Sequence, residues 1–251
     1  HGEPQPLKWP STVSSFGCLD LCGFPKLAFY LHQALWVEDR PVLHLVPHWN
    51  WPGQEGKPIK VMALANADSV TLTLNGRVLS EKPVDKFDMV SWEVPYEPGR
   101  LEATGKKQGQ EVSRCIVETT GEPASLRLTP DRKAFAGDGW DALPVTVEAL
   151  DKHGRPVPTA NLPVEFEITG PGAIIGLGNG NPNCHEPEKG HHRSLFHGLA
   201  QVLVQSQRGG SGALVLRATA GGLQPAETTI DVTATPERPA VAKVRRASSR
   251  K

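Results

Sequence analysis

The sequence predicts a mainly β chain, two β-sandwich domains preceded by a loop and one helix. Gly and Pro, 25 and 23 of them, fill close to a fifth of the 251 positions, against about 12% in an average chain, which leaves little room for long helices. Short apolar runs with a two-residue period recur roughly every ten residues, the spacing of a sandwich. Only one segment carries a helical period.

Residues 1–24, HGEPQPLKWPSTVSSFGCLDLCGF, show no period and read as loop. Pro25 suits a first helical turn, where its missing N–H would have no partner anyway. Leu27, Tyr30, Leu31, Ala34 and Leu35 follow at i, i+3, i+4, i+7 and i+8, so Lys26 to Trp36 reads as an amphipathic helix, closed by Pro41. From Val42 the period becomes two. Val42 to Val46, Lys60 to Leu64 and Val70 to Leu74 are candidate strands, and Asn75-Gly76 before Arg77 to Leu79 is a hairpin signal, because a type I′ turn needs positive φ at both central residues. Ser91 to Val94, Leu101 to Gly105 and Val112 to Glu118 complete a first sandwich, with a turn at Lys107 to Gly109. Thr119 to Pro123 reads as a linker. Ser125 to Thr129, Val145 to Leu150, Val164 to Ile168, Leu199 to Gln205, Leu214 to Ala220 and Thr228 to Val232 then build a second sandwich. Arg238 to Lys251 holds six basic residues and no acid, a solvated, disordered tail.

Hydrophobic residues at 38% and charged residues at 22% are globular values. Twenty-seven basic and 27 acidic side chains cancel, so no global field favours nucleic acid or an anionic membrane. No apolar run approaches the roughly 18 residues of a spanning helix, and nothing at the start resembles a signal peptide. The first residue is His1, not Met, so the chain is expected to start partway through a gene product. Any signal peptide would then lie upstream; location is unknown, with a periplasmic or secreted setting slightly favoured. Cys18, Cys22, Cys115 and Cys184 lack paired zinc spacing and decide little about redox compartment.

Two clusters carry chemistry. In His48-Trp49-Asn50-Trp51, flat rings beside amide and imidazole groups suit a sugar, whose CH face stacks and whose hydroxyls need partners; alternatively both tryptophans plug the seam between two packed domains. The second cluster runs from Gly176 to Pro187, followed by His191, His192, Arg193 and His197. Its alternating glycines resemble a phosphate cradle, but Pro182 and Pro187 forbid the helix that such a site needs. Cys184, His185, Glu186 and the later histidines include metal-binding types without HxH or HExxH spacing, so a hydrogen-bonded structural loop is expected, with no metal and no cofactor. Glycosidases need two carboxylates flanking the scissile bond. The acids here are scattered, and Glu3 is alone in its loop. Serine-hydrolase signatures are missing too, so the residues by themselves describe a binding or structural pair of sandwiches.

The opening changes that reading. His1-Gly2-Glu3-Pro4-Gln5-Pro6, Trp9-Pro10-Ser11 and Ser15 to Lys26, with Tyr30 and Trp36 beyond, resemble the end of the catalytic barrel of a bacterial glycoside hydrolase family 2 β-galactosidase. Arg40 to Gly53, Leu74 to Arg77 and Trp92 to Gly99 resemble the sandwich that follows the barrel. Leu150 to Val157 and Gly178 to Pro182 resemble the C-terminal immunoglobulin-like domain, and the former is also similar to invasin-type modules. The resemblance implies residues 1–39 as the last loop and helix of a (β/α)8 barrel, 40–120 and 121–236 as immunoglobulin-like sandwiches, and 237–251 as the tail. It also implies retaining exo-hydrolysis of terminal β-galactosides by two glutamates upstream of His1, so no residue here is catalytic. Glu3 and Trp9 fall on the loop after the last barrel strand, at the end where barrel active sites sit. With His48, Trp49 and Trp51 they are the candidate substrate contacts.

A barrel cannot close from its final helix alone, so the isolated chain is expected to be inactive, with the Leu27 to Leu35 face left as an apolar patch. The expected partners are a β-galactoside and the rest of the chain's own polypeptide; self-association is left open. The rival from another class is a noncatalytic carbohydrate-binding or adhesin-like module using His48 to Trp51.

Overall fold

The computed structural model describes residues 9–236. Glu3 and the basic tail lie outside the described residues. Helix α1 (Leu27–Trp36) leads into the first sandwich, built from β1 (Leu43–Val46), β2 (Pro58–Ala65), β3 (Ser69–Leu74), β4 (Arg77–Pro83), β5 (Val90–Pro95), β6 (Arg100–Lys107) and β7 (Gln110–Glu118). These strands form two sheets, β1-β2-β5 and β4-β3-β6-β7. Strict alternation in β3 buries Val70, Leu72 and Leu74 while Ser69, Thr71 and Thr73 stay half-exposed. Those side chains meet Leu45, Val61, Trp92 and Leu101 in one apolar core. Asn75 and Gly76 have φ of 51° and 80°, so the two-residue hairpin takes the left-handed geometry that Asn-Gly favours.

The second sandwich follows: β8 (Pro123–Pro130), β9 (Ala134–Ala136), β10 (Ala142–Asp151), β11 (Pro163–Thr169), β12 (Gly172–Gly178), β13 (His192–Ser194), β14 (Leu199–Ser206), β15 (Gly212–Thr219) and β16 (Ala226–Thr233). Its sheets are β12-β14-β10-β8 and β13-β11-β15-β16-β9. In β11, Val164 and Phe166 point into the core while Glu165 and Glu167 face water, the alternation of a sheet wet on one face. A second core, separate from the first, joins them to Val145, Val202, Leu216 and Ile230.

The sequence reading lacked β9, β12 and β13. β9 and β13 are three residues long, too short to show a period. β12 hides behind its glycines, which are there for packing: a Cβ at Gly172 would lie 2.2 Å from Leu214 Cδ1. The stretch Gly176 to Gly178, read as loop, is the end of this strand.

Helix α1 ends at Trp36, where the apolar spacing ends. The connection to β1 is held from the first sandwich: Asn66 Nδ2 donates to the carbonyls of Val37 and Arg40, and its Oδ1 accepts from Val42 N–H. Tyr30 stacks on His44 at 3.5 Å between ring centres. No helix residue is fully buried, and Trp36 is 74% exposed. The apolar stripe is thus only partly covered by the described residues.

Candidate functional site

The chemistry-bearing segments meet at two places: the opening loop seats on the second sandwich at the end of β12, and the tetrad His48 to Trp51 meets the linker between the sandwiches. In the opening loop Asp20 organises a turn, its Oδ1 accepting from the N–H groups of Cys22 and Phe24 at 2.8 and 2.9 Å. This local bonding is what a short acidic side chain offers an irregular backbone. The turn seats on the end of β12. A Cβ at Gly178 would lie 2.6 Å from Cys22 Sγ, and one at Gly180 would lie 2.0 Å from Asp20 Oδ2. Gly178 and Gly180 are therefore small because the opening loop packs on them. The seat is tied further by Thr12, whose N–H and Oγ1 both donate to Pro182 O, and by Gln201 Nε2 donating to Cys22 O. Burial, reinforced by the Asp20 charge, pushes the Cys22 thiol up to about 11, so it stays protonated and unreactive at neutral pH.

Beyond Gly180 the loop is self-bonded, as the sequence led us to expect. Asn179 is buried and donates to Ser194 O, while its Oδ1 accepts from Asn181 N–H. Arg193, 3% exposed, donates to the carbonyls of Leu177 and Pro187 and to Cys184 Sγ. Glu186 accepts from Ser194 N–H and Oγ. Burial alone would raise its carboxyl, but the Ser194 bonds and the charges of Arg193 and His192 hold it below the usual carboxylate range. His192 spans Glu165 and Glu186. Among the described residues no three His, Cys, Asp or Glu side chains converge as a metal site.

The tetrad His48 to Trp51 divides by role. Trp49 is fully buried, its indole N–H donating to Glu97 O and its ring edge-on to Tyr96. No face of this ring is open to a sugar, because the first core closes over both sides. Asn50 exchanges two hydrogen bonds with Thr120, and Trp49 O accepts from Thr119 Oγ1 at 2.6 Å. The middle of the tetrad thus grips the linker between the sandwiches. On the other side of that linker, Gly121 N–H donates to Asp151, which also accepts from Arg155 and from the N–H groups of His153 and Arg155. Burial would raise the Asp151 carboxyl; these donors hold it well below its ordinary range.

His48 and Trp51 lie at the rim, half-buried, with rings stacked at 4.8 Å. Trp9 is 82% exposed and stacks on His185 at 4.3 Å. Between the second-sandwich loops runs an open groove of about 410 Å³, bounded by Asn161, Asn181, His185 and Phe196. Sequence reading did not single out Asn161 or Phe196. The available signal was the pair His197-Gly198, with φ of 52° and 80°, the central residues of a tight hairpin closed by Phe196 and Leu199.

Comparisons place these features among known proteins. A family model described as glycoside hydrolase family 2 C-terminal domain 5 matches residues 126–229, and a domain of unknown function (DUF4982) matches residues 56–113. The chain is 43% identical over 228 residues to β-galactosidase BoGH2A of Bacteroides ovatus, covering 90% of this chain and 26% of that protein. It is 34% identical over 190 residues to a β-glucuronidase of Formosa agariphila, covering 72% and 19%. Among solved structures, a β-glycosidase from Bacteroides vulgatus superposes with a TM-score of 0.86 at 34% identity, over 90% of this chain and 29% of that one. A glycosyl hydrolase family 2 member from Bacteroides cellulosilyticus gives 0.82 at 33%, over 86% and 32%. The chain spans about a fifth to a quarter of the length of these curated relatives.

Proposed function

The chain belongs to glycoside hydrolase family 2, whose C-terminal domains it carries, and on that premise we propose that it is the accessory region of a β-galactosidase acting on terminal non-reducing β-D-galactosides with retention. In this reading the loop before α1 and the helix itself finish a catalytic barrel. The two glutamates that perform the double displacement are supplied by upstream strands. The two sandwiches brace that barrel end, and the rest of the same polypeptide covers the open face of α1.

The observation that carries the reading is the seat of the opening loop on Gly178 and Gly180. A loop that must present groups at a barrel mouth needs a rigid support, because small misplacements cost catalysis dearly. The second sandwich supplies one through close packing and the Thr12 to Pro182 hydrogen bonds. Galactoside over glucuronide is favoured by the higher identity to the Bacteroides ovatus β-galactosidase.

The test is hydrolysis by the complete gene product of 4-nitrophenyl β-D-galactoside against the β-D-glucuronide, with the released anomer followed by NMR. Turnover of the galactoside with β-galactose appearing first, and none by the 251-residue chain alone, is expected. Selective turnover of the glucuronide, or inactivity on both, would overturn the proposal.

A further inference from the structure

Two thiols lie in the opening loop, and their surroundings differ. Cys22 packs on Gly178 and keeps its proton. Cys18, half-buried, has its Sγ 3.1 Å from Nδ1 of His32, on the second turn of α1. The imidazole is fixed by stacking on Trp36, at 4.5 Å between ring centres. A nucleophile within hydrogen-bond reach of a base, with the base oriented by a third group, is the arrangement that activates a side chain for attack.

Positive charge gathers around the same residue. Cys18 O accepts at 2.8 Å from the N–H of Lys26, the residue that opens α1. The Lys26 ammonium donates to Ser15 O and Phe16 O, just before Cys18. Helix α1 has ten residues and no acid in its first turn, so its positive end is not neutralised there. The nearest acid in sequence, Asp20, directs its carboxylate to the N–H groups of Cys22 and Phe24 and toward Gly180. A helix N-terminus, a lysine and a histidine each favour a thiolate over a thiol. The other three cysteines lack this combination. Burial and the Asp20 charge oppose ionisation of Cys22, and burial opposes it at Cys115. Cys184 has Arg193 Nη1 at 3.0 Å, but also the Glu186 carboxylate at 3.8 Å, which repels a second anion and, held below the usual range, takes no proton from it.

We propose that Cys18 is a site of reversible S-thiolation, a nucleophilic thiol that takes up a mixed disulfide from a low-molecular-weight disulfide such as oxidised glutathione. The thiol proton passes to His32 Nδ1, and the sulfur anion attacks one sulfur of the reagent. A Cys18–glutathione S–S bond forms, the reagent's own S–S bond breaks, and the leaving thiolate takes the proton back from the imidazolium. The adduct replaces the contact between Cys18 and His32 that joins the opening loop to α1. The inference is independent of the galactoside reading, because it needs only this loop and this helix.

The experiment exposes the complete gene product to oxidised glutathione at pH 7, native and unfolded in urea. Adducts on each cysteine are followed by tandem mass spectrometry, which separates Cys18 from Cys22 within their shared tryptic peptide. An ordinary thiol is about 3% thiolate at that pH, so full ionisation gains at most about 30-fold, less what a more stable thiolate loses in nucleophilicity. Native Cys18 is therefore expected to react about 5- to 10-fold faster than the same residue in urea, and ahead of Cys22, Cys115 and Cys184. His32→Asn keeps an amide near the Nδ1 position without a basic nitrogen, and should bring the Cys18 rate to within about 2-fold of its unfolded value. Native Cys18 no faster than in urea, Cys184 reacting first, or an unchanged Cys18 rate in the variant would each overturn the proposal. Cys22 reports on the loop. If it becomes reactive in His32→Asn, the loop has opened, and the parent's native-to-unfolded ratio then decides alone.

Discussion

Gly178 and Gly180 show how little a residue type says until its neighbour is known. Three alternating glycines raised a phosphate cradle in sequence, and the downstream prolines argued against it. What the glycines are for became visible only with Asp20 and Cys22 lying on them. Gly180 also has φ of 72°, so Gly180→Ala incurs about 1–2 kcal/mol of backbone strain in addition to displacing the Asp20 carboxylate. The opening loop, rather than the sandwiches, should give way: limited proteolysis is expected to cut within residues 9–24 in the variant while both sandwiches survive. Gly176→Ala is the control. A Cβ there would find its nearest neighbour, Leu203 Cδ1, at 3.4 Å, and stability should change by less than about 0.5 kcal/mol. Trp49 teaches the same lesson in reverse. Its ring invited a sugar on composition, but a large ring just after the end of β1 also fills the core, where it packs on Tyr96 and donates to Glu97 O.

Among elements, the linker is the most informative. It was legible as a break in the alternation at Thr119 to Pro123, but nothing in its composition said that it would be gripped from both ends. Asn50 holds Thr120 from the first sandwich, and Asp151 holds Gly121 from the second. Asp151 is fully buried and its strongest partner is the Arg155 guanidinium at 2.7 Å. Asp151→Asn weakens that charge-assisted pair and one of the loop's organising acceptors, and should cost about 2–3 kcal/mol in urea unfolding of the second sandwich. A loss under about 0.5 kcal/mol would mean that the grip is dispensable. The strands themselves split by legibility for a physical reason. Those with six or more residues and one wet face showed their period, as β3 and β11 did. β12 lost its signal because glycines interrupt its alternation, Gly172 packed against Leu214 and Gly178 against Cys22.

For the whole molecule, the half-buried imidazoles of His44 and His48 set a pH dependence. Burial, joined by the charge of His197, lowers the proton affinity of His48 below its ordinary value of 6.5, and burial does the same to His44. Below pH 6.5 the unfolded chain takes up protons that the folded chain resists. Stability contributed by these groups is therefore complete above pH 6.5 and falls as the pH drops toward their lowered folded values. Thermal melts between pH 7.5 and 5 should show a decline that His48→Gln reduces; an unchanged slope in that variant would remove His48 from the account. By itself the sequence determined the class of fold, most strands, the Asn-Gly hairpin and the single helix, because alternation, turn chemistry and helical spacing act over a few neighbouring residues. Only the tertiary structure decided that Trp49 is core, that the glycines seat the opening loop, and that Asn161, Asn181, His185 and Phe196 line one groove. Those facts depend on which distant segments come to share a surface, and close packing between residues far apart in sequence, 48 positions for Trp49 and Glu97 and 179 for Cys22 and Gln201, leaves no period along the chain.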